Sequence, residues 1–341
     1  MVGQVAHLAN YLDIADCRVV AMAELRPELR GMVAAKFGIK KSYESHHELL
    51  ADGEVDAVVV VTRPQAHGPI VLDALRAGCH VLSEKPMAHT VEQGMRLVQA
   101  AQSKNLRYAV GFMKRHDAGA QHAKMMLEGL RQSGELGRIV LMRGWCFGGE
   151  FRCGMSDFVM TNEARPDGLA TWPIAPDWIP TDCRADYASF VNVFIHDLNM
   201  LRFLAGSEPR VEAVNLQRRN GRIVMLDFGA FPAVLEMAEI ASVDWQEGVE
   251  VLFERGRLAL YFSSPLLRNV PARVEFTRGG EQPQTIVPHM AWSWSFRRQA
   301  EAFVADILAG QEPLAGGHDS LDDMHLAEEI WRQHLDKMTV R

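Results

Sequence analysis

Glu84, Lys85 and His196 are the side chains whose types and settings best suit chemistry. Glu84-Lys85-Pro86 closes the run His80-Val81-Leu82-Ser83, which reads as a short buried strand after a helix. A charged pair fixed by proline at the carboxyl end of a strand is poor core material, but ligands of open α/β sheets bind at that edge. Histidine titrates near working pH, so His196 can take a hydroxyl proton while an alcohol carbon loses hydride. A lysine close to the same oxygen stabilises the developing negative charge. Asn192, four residues before His196, shares its helical face and can orient the imidazole, but it brings no charge. Asp197 and Asp186 are nearby carboxylates able to compensate.

The elements that must position these groups follow from periodicity and punctuation. Residues 4–13 read as a helix, 17–23 as a strand ending at Glu24, and 27–37 as a helix. Pro27 suits that helix's first turn and Gly38 its exit. A short helix over 46–51 precedes the clearest strand, 55–62, whose continuous β-branched character suits burial on both faces. A helix over 66–77, the strand into Glu84, a helix over 90–103 and a strand over 107–113 complete the alternation, which indicates βαβ units and a parallel sheet.

After Arg115 the pattern changes. A helix over 118–133 and a strand over 138–143 lead into an irregular stretch from Gly148 to Asp186, and a helix covers 190–204. From Arg210 to Val287 the reading is mostly strands, with a hairpin signal at Arg219-Asn220-Gly221-Arg222, and two helices near 295–308 and 319–338 close the chain. The expected fold is therefore an α/β Rossmann-type parallel-sheet domain over 1–116, lacking its first strand. An α+β domain with an open, mostly antiparallel sheet follows over 117–341, the boundary falling near 114–120.

A dinucleotide site needs a strand, a glycine-rich turn and a helix N-terminus. Gly3 fits the third glycine of such a turn, and the first strand and first two glycines do not precede it. A buried central strand of about five apolar residues contributes on the order of 10 kcal/mol. The expectation is thus that Met1 is an internal methionine of the glycine loop and that upstream codons encode the strand; the rival is a real truncation. Glu24, about twenty residues on, can accept from ribose hydroxyls and repel a 2′-phosphate, which favours NAD over NADP. Arg26 is placed to pair with a phosphate. In the irregular stretch Trp172 and Trp178 flank Asp177, as a substrate loop stacking on sugar rings would, or as a packed surface loop would. Trp292-Ser293-Trp294-Ser295-Phe296 reads as packing.

Composition bounds the function. The 341 residues carry a net charge of −7, which disfavours nucleic acid and anionic membrane as partners. The 13 histidines show no metal-ligand spacing, and no metal is expected; His46-His47 reads as a helix surface. The 5 cysteines fit no CxxC pattern, as reduced thiols of a cytoplasmic protein would. No signal peptide and no membrane-length apolar run is read.

In order along the chain, Thr62-Arg63-Pro64-Gln65-Ala66-His67, Ser83-Glu84-Lys85-Pro86, Gly111-Phe112-Met113-Lys114-Arg115 and His196-Asp197-Leu198-Asn199-Met200-Leu201-Arg202 resemble the Gfo/Idh/MocA oxidoreductase family. The resemblance implies an NAD(P)-dependent oxidoreductase acting on a carbinol carbon of a sugar, sugar derivative or cyclitol. It puts Thr62, Pro64 and His67 near the cofactor, where Gly3, Glu24 and Arg26 already read as cofactor residues, and Glu84 and Lys85 at the nicotinamide and substrate. His196 takes the role of general acid/base, and Arg115 lies near the substrate; Asn192 beside His196, and Trp172 if its stretch is a substrate loop, are further candidate substrate residues. Many members carry aspartate where Asn192 stands. A carboxylate about 4 Å from the imidazolium would attract it by ~4 kcal/mol at an effective dielectric near 20, so its loss lowers the histidine's affinity for a proton. The alternatives are a non-catalytic relative that binds a sugar-like ligand or scaffolds an assembly, and a reductase of a non-sugar carbonyl. A homo-oligomer, dimer or tetramer, is expected through the open sheet.

Overall fold

The computed structural model describes every residue except Arg165, Arg219, Val340 and Arg341, and the backbone alone of Thr339. A π-helical turn, Gly3–Leu8, runs into α1 (Ala9–Tyr11). Then follow β1 (Ala21–Ala23), α2 (Pro27–Phe37), β2 (Lys41–Tyr43), α3 (His46–Ala51), β3 (Ala57–Val60), α4 (Pro64–Ala77), β4 (His80–Ser83), α5 (Val91–Ser103) and β5 (Tyr108–Val110). Pro27 opens α2, and Gly38 closes it in the left-handed region at φ 67°; Gly78 does the same for α4 at φ 92°. Thr90 caps α5 by accepting from the Gln93 N–H.

The parallel strands form two pieces. β1 pairs with β2, and β3, β4 and β5 form a second sheet in that order. In a doubly wound order 3-2-1-4-5-6 these are the pieces on either side of the first strand. The NAD-binding type of sheet is thus present with its joining strand absent from the described residues.

The later elements are α6 (Ala118–Ser133), β6 (Ile139–Gly148), α7 (Arg184–Ala205), β7 (Arg210–Asn215), β8 (Arg222–Asp227), β9 (Pro232–Met237), β10 (Gln246–Phe253), β11 (Gly256–Tyr261), β12 (Arg273–Arg278), β13 (Gln284–Ile286), α8 (Ser295–Ala309) and α9 (Gly317–Thr339). β6 runs to Gly148 and α7 starts at Arg184, so both are longer than periodicity predicts. β7 and β8 pair antiparallel across the expected hairpin, of which Arg219 lies outside the described residues. Together the strands make an eight-stranded sheet, β13-β12-β11-β10-β6-β9-β8-β7, antiparallel except between β6 and β9. One face is buried: Gly144 of β6 leaves room for Leu201 of α7, which would lie 3.1 Å from a Cβ there. The other is open, with Ile223 and Met225 nearly half exposed and Trp145 set edge-on to Tyr261.

Contacts divide the chain into two compact units. One comprises Met1–Gly111, Met155–Ala188 and Phe296–Leu321; the other comprises Phe112–Gly154, Ser189–Ser295 and Asp322–Arg341. The first therefore gathers two later segments that sequence order does not reveal. Among the described residues no helix is long and apolar enough to cross a membrane.

In the second unit the Asp117 carboxylate organises the start of α6. It accepts from the N–H groups of Gly119 and Ala120 at 2.8 and 3.3 Å, and from that of Ala272 at 2.9 Å. A Cβ on Gly119 would fall 2.1 Å from the Ala272 carbonyl oxygen, which is backbone and cannot swing aside. Gly119→Ala should therefore cost about 1–3 kcal/mol of stability by urea denaturation. An unchanged midpoint would contradict this close approach.

Candidate active site

In the first unit, the side chains suited to chemistry follow the carboxyl ends of β1, β3 and β4. Glu24 comes directly after β1. Its carboxylate takes a two-pronged contact from Arg26, Nε at 2.8 Å and Nη2 at 3.0 Å, and Arg30 donates to its carbonyl oxygen at 2.8 Å. Beyond β3, Thr62 is joined to His67, whose Nε2 lies 2.9 Å from the Thr62 carbonyl oxygen. The other ring nitrogen is 3.3 Å from the Pro86 carbonyl oxygen. His67 is buried on α4, and burial holds its pKa below the ordinary histidine value. Its ring thus braces two strand-end loops. Pro64 opens α4.

Beyond β4 stands Glu84, with a cis peptide between Lys85 and Pro86. His7 Nε2 lies 2.7 Å from Glu84 Oε1, and the Lys85 N–H donates to Oε2 at 3.2 Å. Burial works to raise the Glu84 pKa; the His7 hydrogen bond and the charges of His7 and Lys85 outweigh it and hold the group below the usual carboxylate range. A Cβ on Gly111 would lie 3.1 Å from the Glu84 backbone and 3.2 Å from its carboxyl, so glycine there leaves the acid its space.

This set suits a nicotinamide dinucleotide: a strand-end carboxylate for ribose hydroxyls, close-packed strand ends, and an anchored acid beside a lysine. Gly3 sits at the first helical turn, where a Cβ would make ordinary contact with Val61 at 3.6 Å. Glu24, Arg26, Thr62, Pro64, Glu84 and Lys85 would hold such a group. Trp172 belongs to the same unit but packs over α4. Its backbone N–H donates to the Gln65 carbonyl at 2.9 Å, its ring fills the space a Cβ on Gly68 would need, and the Arg96 guanidinium lies 4.8 Å from the ring centre.

In the second unit, His196 lies on α7 with Asn192 one turn before it, and its ring meets Phe112 edge-on at 5.7 Å. Arg115 is buried; it donates to the Asn199 side chain at 2.7 Å. Asn199 in turn donates to Asp323, whose other oxygen receives Arg202 at 2.6 Å. That network fixes α7 against the start of the second unit's share of α9.

Asp197 does not supply the charge that Asn192 lacks. It is buried with Glu247, Cys146 and Lys114, and the Lys114 ammonium pairs with Glu247. Burial first, then the neighbouring Glu247 charge, push the Asp197 pKa well above the carboxylate range, against the opposing pull of Lys114. Trp245 donates to the second Glu247 oxygen at 2.7 Å. Among the described residues, Cys146, Asp197 and Glu247 bring possible ligand atoms within 4.8 Å of one another, as do His46, His47 and Asp73. In the first group Lys114 already provides the compensating cation.

Sequence reasoning missed His7, Lys114 and Glu247. The one available signal was charge inside apolar strand patterns, as in Gln246-Glu247-Gly248-Val249.

A parallel-sheet unit with acids at its strand ends, followed in the chain by an antiparallel-sheet unit carrying a helical histidine, defines a nicotinamide-type oxidoreductase. Residues 2–112 match the Gfo/Idh/MocA family, described as an oxidoreductase family with an NAD-binding Rossmann fold. Along 92% of this chain and 87% of the relative, the sequence is 22% identical to myo-inositol 2-dehydrogenase of Thermotoga maritima. The fold matches a 3-ketoreductase from Actinomadura kijaniata, solved with NADP and TDP-benzene, at TM-score 0.75 and 19% identity over 97% of this chain and 94% of that one. An oxidoreductase from Agrobacterium radiobacter, solved with NAD+, L-tartaric acid and magnesium, matches at TM-score 0.68 and 16% identity over 97% and 93%. The Gfo/Idh/MocA match thus lies in residues 2–112, while the similarity to an inositol dehydrogenase runs along most of the chain.

The Asp197 pKa, raised in the folded state, makes stability fall as pH rises from the unfolded value near ~4 through the folded one. Asn cannot titrate but can still donate to Glu247. Asp197→Asn should therefore stabilise the protein at pH 8 by on the order of 1–2 kcal/mol and flatten its pH profile. Thermal melts from pH 4 to 9 check this, and a variant less stable than the parent at pH 8 would contradict it.

Proposed function

We propose that this chain is a dehydrogenase or reductase that moves a hydride between NAD and a secondary alcohol or ketone of a sugar, sugar derivative or cyclitol. The observation that carries the reading is the half-buried, ionised Glu84 anchored by His7 directly before Lys85 at the end of β4. When bound, the nicotinamide accepts or returns the hydride. Lys85 stabilises negative charge on the carbinol oxygen, and His196 takes or returns the hydroxyl proton. Asn192 orients His196. Glu24 accepts from the adenosine ribose and so favours NAD, although relatives of the same fold hold either NAD+ or NADP. The substrate class follows the inositol dehydrogenase relative. We assign self-association to the open sheet face bearing Ile223, Met225 and Trp145.

A second reading, a binding protein without turnover, draws support from Asn192, which brings no charge to the helical face it shares with His196. The two readings separate on kinetics. Lys85→Met and His196→Ala should each lower kcat by about a hundredfold or more while the NAD dissociation constant changes less than about threefold. Near-parental kcat in either variant would remove that residue from the mechanism.

A further inference from the structure

Residues 157–163 are drawn along α2 by contacts far apart in sequence. Lys36 pairs with the Asp157 carboxylate at 2.5 Å. The Gln4 side-chain amide bonds the Val159 backbone in both directions, accepting from its N–H at 2.8 Å and donating to its carbonyl at 3.0 Å. At the end of this run the Glu163 carboxylate accepts from the Glu28 N–H at 2.9 Å and the Leu29 N–H at 2.8 Å. The Thr161 hydroxyl donates to the same carboxylate at 2.8 Å.

Glu28 and Leu29 lie in the first turn of α2, where backbone N–H groups lack helical partners and the helix dipole favours an anion. That turn begins three residues after Glu24, the strand-end acid that faces the adenosine ribose in a dinucleotide fold. A phosphate on the ribose 2′-oxygen would therefore approach the Arg26–Leu29 turn. Its natural partners are already engaged: Arg26 holds Glu24 through two nitrogens, and the backbone donors hold Glu163. Partial burial works to raise the Glu163 pKa, but the Glu28 and Leu29 N–H groups and the Thr161 hydroxyl keep it below the usual carboxylate range, so it carries its charge at neutral pH.

We infer that Glu163 is a specificity-determining residue: its carboxylate fills the place of a 2′-phosphate at the start of α2 and so selects NAD against NADP. Two carboxylates then guard the ribose. Glu24 reads the hydroxyls, and Glu163 withholds the donors and adds a repelling charge. The inference rests on the cofactor reading above and deepens it.

Titrating NADH and NADPH separately into the parent protein, Glu163→Gln and Glu163→Ala, with nicotinamide fluorescence as the readout, tests it without turnover. The parent should prefer NADH. Both variants should bind NADPH about tenfold tighter or more than the parent, with NADH affinity within about threefold. A thermal melt of each confirms that it is folded, and the isosteric Gln variant serves if Ala loosens the segment. NADPH affinity unchanged in both folded variants, or a parent that already binds NADPH as well as NADH, overturns the inference while leaving the cofactor reading in place. Binding of neither nucleotide by the parent overturns both.

Discussion

The contact between His7 and Glu84 is the constraint on which the cofactor half depends. Glu84 is largely withdrawn from water, its side chain 13% exposed, and that desolvation by itself favours the protonated form. His7 at 2.7 Å, with the charges of His7 and Lys85, outweighs that cost. The pair ties the first helical turn to the end of β4, and Gly111 leaves the room it needs. Lys85 inherits its position from this anchor, since its own backbone donates to the acid.

The second unit treats a buried acid in the opposite way. Asp197 has Glu247 as a neighbour, so burial and like charge act in the same direction and favour the neutral form. Lys114 is committed to Glu247. His196 therefore follows Asn192 along α7 and precedes a carboxyl that prefers its proton. Arg115 has a structural duty as well, spent on Asn199 and through it on Asp323.

Features set by near neighbours were legible in the sequence. Pro27 and Gly38 bracket α2 as their backbone preferences require, the valine run reads as the strand β3, and Glu84-Lys85-Pro86 stands where a strand ends; the expected burial of β3 on both faces is not met, since only Val60 of that strand is buried. The order of these pieces was enough to reach the family. What remained hidden depends on distance along the chain. His7 meets Glu84 across 77 residues, Lys114 meets Glu247 across 133, and Glu163 reaches Leu29 across 134. No local period encodes such partners. Trp172 shows the same limit: its contact with α4, through the glycine at 68, spans 104 residues of sequence.

Hydride transfer itself is the most direct test. The protein should be incubated with NAD and polyols or cyclitols deuterated at the carbinol carbon, and the resulting NADH examined by mass spectrometry. Deuterium on the nicotinamide ring from at least one substrate is the predicted result. Saturable binding of NAD and of a polyol with no deuterium transferred from any of them would contradict it.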